Sequence, residues 1–203
     1  MKFICIGRNY IDHVKELNSA LPSEPVFFFK PETALLLKRQ PFFLPDFSKN
    51  VQYELELILK ICKVGKNIQE RFAHTYYNEI GVGIDFTARD LQNNCKDKGL
   101  PWEIAKAFDG SAVVGSFIEK STLRDINTID FSLKLNDKIV QQGNSKDMIF
   151  NFDKLISYVS QFVTLKMGDI IFTGTPSGVG PVKINDILEG YIGEEKSFKV
   201  IVK

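Results

Sequence analysis

Residues 53–59 read Tyr53-Glu54-Leu55-Glu56-Leu57-Ile58-Leu59, so that two glutamates alternate with apolar side chains. In a β-strand, successive side chains point to opposite faces, which places Glu54 and Glu56 side by side on one face. Carboxylates at that spacing among apolar neighbours repel each other unless protons, a cationic side chain or a metal ion neutralise them. The motif therefore predicts a charged site or, alternatively, the solvent-exposed face of an ordinary strand.

Hydrophobic patterns on either side of this motif predict many short strands and few helices. The strands are expected at residues 2–6, 26–29, 34–37, 51–61, 80–84, 129–135, 138–143 and 170–173. The helices are expected at residues 10–17, 68–77, 87–98 and 152–162. Asn9 is a candidate N-cap for the first helix. Because βαβ units are rare in this pattern, we predict a β-rich, mixed α+β fold with residues 1–203 as a single domain.

Composition excludes several classes of protein. The chain has 203 residues, 44% of them hydrophobic, and 26 Lys plus Arg against 25 Asp plus Glu give a net charge of +1. This balance creates no field that would attract nucleic acid or an anionic membrane, so a small or specific partner is expected. The three cysteines lack CxxC spacing, and neither a signal-peptide core nor a long apolar run is visible, which favours a cytoplasmic protein.

A third carboxylate follows the apolar residues 80–84, which are typical of a buried strand. Asp85 ends this segment, a position from which side chains commonly line a site, although capping of the next helix is the alternative. Together with Glu54 and Glu56 it would supply three hard oxygen ligands. Such a set suits Mg²⁺ or Mn²⁺ better than zinc.

Two further motifs carry candidate chemistry. His13 and Glu16 lie three residues apart on the first predicted helix, a spacing at which a carboxylate can orient an imidazole that activates water. The alternative is a surface histidine with a casual ion-pair partner. Residues 173–181, Thr-Gly-Thr-Pro-Ser-Gly-Val-Gly-Pro, offer backbone amides and hydroxyls to an anion, or form a plain tight turn.

Several motifs occur in one order along the chain. They are Gly7-Arg8-Asn9-Tyr10-x-x-His13-x-x-Glu16, Glu54-x-Glu56, Asp85, Lys106 and Thr173-Gly174-Thr175-Pro176-x-Gly178-Val179-Gly180. Shorter blocks, including Lys30-Pro31 and Lys98-Gly99-Leu100-Pro101-Trp102, extend the series over nearly the whole sequence. In this order the chain resembles the fumarylacetoacetate hydrolase family, and within it the compact acylpyruvase type.

The resemblance implies a mixed β-roll or β-sandwich of the kind formed by the C-terminal domain of fumarylacetoacetase. It implies Mg²⁺ or Mn²⁺ held by Glu54, Glu56 and Asp85, and a His13–Glu16 dyad on a mobile segment that orders over the substrate. It also implies a homodimer. The other site residues are Lys106, which would bind or polarise the substrate, Thr175, which would contact its carboxylate, and the substrate-binding candidates Arg8, Tyr10, Arg89, Gln92 and Gly174.

The implied reaction is hydrolysis of a carbon–carbon bond in an acylpyruvate or related 2,4-dioxo acid such as fumarylpyruvate. The metal would stabilise an enolate while the substrate releases pyruvate and a carboxylic acid. Alternatives on the same site are oxaloacetate decarboxylase or tautomerase and 2-hydroxyhepta-2,4-diene-1,7-dioate isomerase. A domain that only binds a small diacid is the non-enzymatic alternative. We expect the enzyme, with a small 2-oxo acid as its substrate.

Overall fold

A computed structural model describes residues 1–16 and 20–203 of the chain. These residues form three sheets of six, four and three strands. The strands are Phe3–Gly7 (β1), Val26–Lys30 (β2), Val51–Tyr53 (β3), Leu55–Ile61 (β4), Tyr77–Asp85 (β5), Thr87–Ala88 (β6), Ala112–Glu119 (β7), Asp130–Leu135 (β8), Lys138–Asn144 (β9), Ile170–Phe172 (β10), Gly180–Pro181 (β11), Ile187–Ile192 (β12) and Glu195–Ile201 (β13). The helices are Ile11–Glu16 (α1), Glu70–Ala73 (α2), Arg89–Lys98 (α3), Glu103–Lys106 (α4) and Phe152–Phe162 (α5). The prediction of a β-rich α+β fold is confirmed.

The six-stranded sheet has the order β2-β1-β10-β4-β5-β7. Strands β1 and β10 pair in parallel, and the other pairs in this sheet are antiparallel. The second sheet has the antiparallel order β13-β12-β8-β9, and the third has the order β11-β3-β6.

The strand predicted over residues 51–61 is divided at Glu54. Strand β3 belongs to the three-stranded sheet, whereas β4 belongs to the six-stranded sheet. The neighbouring chain segment makes the same change, because β5 lies in the large sheet and β6 in the small one. The amide of Asp85 donates to the carbonyl of Glu54 at this point, with an N···O distance of 2.9 Å. Glu54 and Asp85 therefore lie where two neighbouring chain segments pass between the three-stranded and the six-stranded sheet.

Side chains on the two faces of β4 enter different hydrophobic clusters. Leu57 packs in the larger cluster with Leu155 and Val159 of α5. Ile58 points to the opposite face and joins a second cluster with Phe172. Glu56 shares its face with Ile58, since side chains two residues apart lie on the same side of a strand. The acidic face of the motif is therefore buried, and the alternative of a solvent-exposed strand face is wrong.

Several predicted elements differ from the structure. Residues 34–37 do not form a strand, because Glu32–Ala34 is a 3₁₀ turn and Leu35 makes only an isolated bridge. The helix predicted over 68–77 is limited to α2, and strand β7 is not anticipated by the sequence analysis. The first helix ends at Glu16 in the described part, and Leu17 of the prediction lies outside it. Helix α5 begins and ends as predicted.

Asn9 does not cap helix α1. Its side-chain amide donates to the carbonyls of Phe150 and Thr173, and its oxygen accepts from the amide of Phe150. Asn9 thus joins the turn after β1 to two distant segments, which leaves no side-chain group for a cap. Every helix among residues 1–16 and 20–203 is too short or too polar to cross a membrane.

Candidate active site

Glu54, Glu56 and Asp85 bring one carboxylate oxygen each to within 4.8 Å of one another. All three side chains are buried. Glu54 follows the end of β3, Glu56 lies on β4, and Asp85 is the last residue of β5. Asp85 is therefore not a helix cap, since α3 begins four residues later with no side-chain cap bond. The three carboxylates that the sequence analysis grouped together form one cluster.

Glu54 is compensated by two cations. Arg89 Nη2 binds Glu54 Oε1, and Lys106 Nζ donates to Glu54 Oε2 at 2.6 Å. Burial alone would raise the pKa of Glu54, but the charges of Lys106 and Arg89 outweigh this effect and hold that pKa well below its ordinary value. Glu54 is consequently ionised in this site.

Lys106 links two members of the cluster. Its ammonium also donates to Asp85 Oδ2 at 2.8 Å and to Thr87 Oγ1 at 2.6 Å, so each of its three protons is directed at a protein oxygen. Burial opposes its charge, but Asp85 and Glu54 raise the pKa of Lys106 above the ordinary value. Lys106 in this structure holds the carboxylates in position, and direct contact with a substrate would require exchange of one of these bonds.

Glu56 differs from the other two carboxylates. Within the described residues its side chain receives a hydrogen bond from the Gly174 amide, at 2.6 Å, and no ion pair. Burial first, and then the negative charges of Asp85 and Glu54, raise the pKa of Glu56 well above its ordinary value. Asp85 Oδ1 is also buried, with the Lys30 ammonium 2.8 Å away but no aligned hydrogen bond among the described residues. A buried carboxylate without a cationic partner, with oxygens of Glu54 and Asp85 within 4.8 Å, fits a divalent cation held by these three residues.

Lys30 is a site residue that the sequence analysis missed. It is fully buried at the end of β2, and its ammonium donates to the backbone carbonyls of Phe86, Lys106 and Ser111. It also lies 2.8 Å from Asp85 Oδ1. Lys30 thus fixes the three chain segments around Asp85. A lysine followed by proline gives no local signal of this role, because its partners lie more than fifty residues away in sequence.

The predicted His13–Glu16 pair is present on α1. His13 Nδ1 and Glu16 Oε2 are 3.0 Å apart, and His13 is buried. The other oxygen of Glu16 accepts from the Gly178 amide at 3.0 Å. This arrangement directs the second ring nitrogen, Nε2, away from Glu16, and His13 lines the same cavity as the carboxylates. The alternative of a surface histidine is therefore wrong.

The segment after β10 contributes two polar groups. Gly174 adopts φ +100°, and a Cβ there would lie 2.7 Å from Asn9 Cβ, so only glycine fits while its amide donates to Glu56. Thr175 Oγ1 accepts from Gln141 Nε2 at 2.9 Å. Gln141, which the sequence analysis also missed, is buried and accepts from the Leu55 amide next to Glu54. It thus joins the four-stranded sheet to the carboxylate site.

One small cavity of about 30 Å³ adjoins these groups. It is lined by Ile6, Gly7, Arg8, His13, Phe28, Glu54, Glu56, Asp85, Arg89, Gln92, Lys96, Trp102, Lys106 and Thr175. Arg89 orients Gln92, since its Nη1 donates to Gln92 Oε1 at 2.5 Å. Tyr10 does not line this cavity and packs edge-on against Phe131 instead. Gly174 does not line the cavity either, and its role in the site is the amide hydrogen bond that it donates to Glu56.

A buried carboxylate triad, its counter-cations and a His–Glu pair around one cavity define a divalent-metal enzyme with a small anionic substrate. The fumarylacetoacetate (FAA) hydrolase C-terminal model matches residues 2–199. The chain belongs to the fumarylacetoacetate hydrolase family.

Known relatives are similar over nearly the whole chain. Oxaloacetate tautomerase FAHD1, mitochondrial, of Bos taurus is 44% identical over 200 residues, which cover 98% of this chain and 90% of the relative. Oxaloacetate decarboxylase, mitochondrial, of Dictyostelium discoideum is 40% identical over 93% of this chain and 87% of its own length. The crystal structure of fumarylpyruvate hydrolase from Pseudomonas aeruginosa in complex with Mn²⁺ and pyruvate has a TM-score of 0.93 at 34% identity. It covers 100% of this chain and 89% of that chain.

These similarities support an enzyme of the family that acts on a small oxo acid with a divalent metal. They favour the alternative reaction over the main one expected from the sequence. The family resemblance implies carbon–carbon hydrolysis as the main reaction, whereas these relatives are named oxaloacetate tautomerase and oxaloacetate decarboxylase.

Proposed function

We propose that the chain catalyses keto–enol tautomerisation of oxaloacetate. The observation that carries this proposal is the convergence of the carboxylate triad and the His13–Glu16 pair on one cavity. Tautomerisation needs a proton to move between a carbon and an oxygen while negative charge develops on the oxygen. The names of the most similar relatives support the same substrate.

In the proposed mechanism, a divalent cation bound by Glu54, Glu56 and Asp85 would stabilise negative charge on the keto oxygen of the substrate. His13 Nε2 removes a proton from C3 of the keto acid, and the resulting imidazolium delivers that proton to the C2 oxygen as the enol forms. Glu16 accepts from Nδ1 and so keeps Nε2 free for this transfer. Thr175 and Gln92 line the cavity where the substrate's own carboxylate and keto group would bind.

Decarboxylation of oxaloacetate is the second candidate. Loss of CO₂ from C4 leaves the same type of enolate, so the same residues would serve it without water. The Dictyostelium relative supports this reaction. Hydrolysis of an acylpyruvate needs in addition a water activated by His13, which the His13–Glu16 pair would also allow.

The decisive experiment follows oxaloacetate by enol absorbance and by pyruvate release, with Mg²⁺, with Mn²⁺ and with a chelator. Enol decay above the buffer rate without pyruvate release supports the tautomerase, and pyruvate release supports the decarboxylase. Acetylpyruvate and fumarylpyruvate, assayed in parallel, test the hydrolase. Turnover that is unchanged by the chelator would contradict the metal-dependent mechanism. The same assay ranks Mg²⁺, our proposed ion, against Mn²⁺.

We also propose that residues 1–203 act as one catalytic domain in a homodimer. A groove of about 940 Å³ on another face carries the apolar side chains Phe29, Phe47 and Ile104, with both Lys2 and Glu103 in its lining. Opposite charges within one apolar face suit an isologous contact with a second copy. Light scattering after size exclusion should give a dimer.

The matched variants for this interface are Ile104→Asp and Ile184→Asp. Both isoleucines are exposed, but only Ile104 lines the groove. We expect Ile104→Asp to give monomers and Ile184→Asp to leave the dimer intact. A dimer in both variants would contradict this face as the interface.

The compartment is a separate question. Cys5, Cys62 and Cys95 are free, which supports the cytoplasmic location expected from the sequence. The Bos taurus relative carries the word mitochondrial in its name. Subcellular fractionation of the source cells tests the cytoplasmic proposal.

A further inference from the structure

Two cations on the wall of the cavity have no acidic partner among residues 1–16 and 20–203. Arg8 and Lys96 line the cavity together with the carboxylate triad. Glu54 and Asp85 are paired with Arg89, Lys106 and Lys30, whereas Arg8 and Lys96 form no ion pair or side-chain hydrogen bond in that part of the chain. Arg8 and Lys96 are therefore the cavity-lining cations in that part of the chain that remain available to bind an anion.

Lys96 is held half-buried at this wall. Its ammonium lies 5.6 Å from the centre of the Trp102 ring. Burial is the main cause that lowers the pKa of Lys96, and repulsion by Arg89 and Arg8 lowers it further. Cations that are partly removed from water and surrounded by other cations are costly unless an anion joins them.

The backbone fixes Arg8 at the same wall. Arg8 has φ 61°, a left-handed conformation that non-glycine residues seldom adopt and that is found preferentially at functional sites. The preceding residue, Gly7, lies against Trp102, because a Cβ on Gly7 would be 3.8 Å from that ring. Trp102 thus lies beside Lys96 and against the residue that precedes Arg8.

An aromatic wall connects this end of the cavity with the triad. Lys106 Nζ, which binds Glu54 and Asp85, lies 5.2 Å from the centre of the Phe28 ring. The rings of Phe28 and Trp102 are 5.9 Å apart and meet edge to face. A ligand held at the triad by one end would pass its carbon atoms along this wall and bring its other end to Arg8 and Lys96.

We propose that Arg8 and Lys96 form a subsite for the second carboxylate of the substrate, so that the enzyme selects 2-oxo dicarboxylic acids over acylpyruvates with an uncharged tail. This inference rests on the proposed function, since the first carboxylate and the keto group are assigned to the triad end. The subsite would determine which members of the small oxo-acid class bind. An anion between two half-buried cations gains charge-assisted hydrogen bonds that an uncharged tail lacks.

The test compares oxaloacetate with its 4-methyl ester, which keeps the keto acid and loses the second negative charge. We expect wild-type kcat/KM for enol–keto conversion to be ~10- to 100-fold higher for the diacid, the range of one or two charged hydrogen bonds. Lys96→Met and Arg8→Met should each lower kcat/KM for oxaloacetate ~10-fold or more and change the value for the ester less than twofold. Because each ratio compares two substrates on one preparation, a partly folded variant does not alter it.

Lys98→Met is the matched control, since Lys98 is an exposed lysine of the same helix that does not line the cavity. This variant should keep the wild-type preference. Equal turnover of diacid and ester by the wild type, or equal losses for both substrates in the two cavity variants, would overturn the subsite and leave the proposed tautomerase standing. Absence of turnover with both substrates in the wild type would instead overturn the proposed function, and with it the subsite.

Discussion

At the residue scale, we propose Glu56 as the carboxylate on which metal binding depends most. Among the described residues it has no cationic partner, whereas Glu54 and Asp85 share three. Glu56→Gln keeps the shape and the acceptor for the Gly174 amide but removes the charge. We expect it to weaken Mn²⁺ binding by ~100-fold or more, since a lost ligand costs more than an altered outer-shell partner.

Electron paramagnetic resonance of free Mn²⁺ during titration measures this affinity without any substrate. Glu194→Gln, at an exposed position, is the matched control and should bind like the wild type. Equal affinity of Glu56→Gln and the wild type would remove Glu56 from the ligand set.

Lys30 is the residue on which the shape of the site depends most. Lys30→Met would remove one of the two buried cations beside Asp85, leaving Lys106 alone, and would deprive three carbonyl groups of their donor. Removing one partner of a buried ion pair costs ~3–5 kcal/mol in the free energy of unfolding. Urea unfolding monitored by fluorescence measures this loss in the free energy of unfolding.

The control is Lys60→Met, which breaks the surface pair of Lys60 with Glu79 on the same sheet. An exposed pair of this kind contributes ~0–1 kcal/mol. Comparable losses for the two variants would mean that Lys30 is not a structural centre of the site.

At this scale, the contacts that depend on local residue spacing were predicted from the sequence. Period two placed Glu54 and Glu56 on one face, and the i, i+3 spacing predicted the contact of His13 with Glu16. The sequence analysis missed Lys30 and Gln141, because their partners come close only when the sheets have formed. No single-sequence pattern marks a lysine or glutamine for such distant contacts.

At the scale of elements, helix α1 has little intrinsic stability of its own. A helix of six residues is far too short to persist alone, so its tertiary contacts hold it. The bond from the Gly178 amide to Glu16 is one such contact. The cavity of about 30 Å³ accommodates roughly a water molecule or two, so a 2-oxo acid enters only when lining groups move.

We therefore expect amide hydrogen exchange in residues 11–16 to be much faster than in β4, and to slow when Mg²⁺ and oxalate, an enolate mimic, are bound. Glu16→Ala should speed exchange in the same residues and leave β4 unchanged. Mass spectrometry of peptic fragments measures both. Exchange in α1 as slow as in β4 without ligand would contradict entry of substrate through movement of this helix.

Element boundaries were harder to predict than element types. The alternation of residues 51–61 continues through Glu54, so the pattern alone could not reveal that the chain changes sheets there. Strand β7 was missed because Gly115 and Ser116 interrupt its apolar residues, so that it shows neither a continuous apolar run nor regular alternation. Helix α5 was predicted well because its apolar period is local, and in the structure the adjacent Asn151 caps it.

At the scale of the whole molecule, the site holds distant parts of the chain together. Strand β1 pairs in parallel with β10, and Asn9 reaches Phe150 and Thr173 beside the loop that carries Gly174. The β-rich class follows from many short strands with turn residues between them. Their order in the sheets does not, since pairs such as Phe3 with Ile170 lie far apart in sequence.

Because the three carboxylates proposed as metal ligands converge only in the folded chain, a bound divalent ion should stabilise the whole molecule. Glu54 and Asp85 come from strands that switch sheets, and the unfolded chain presents no preformed triad. A ligand that binds only the folded state at a hundredfold excess over its Kd adds ~2.7 kcal/mol. At ~2–4 °C per kcal/mol for a chain of this size, Mg²⁺ should raise the Tm by about 5–10 °C above that in chelator. Differential scanning calorimetry measures the shift, and Glu56→Gln should largely abolish it while Glu194→Gln retains it. A Tm that is the same with Mg²⁺ and chelator in the wild type would mean that the cation does not bind this triad in the folded protein, because binding to the native state alone must shift the equilibrium.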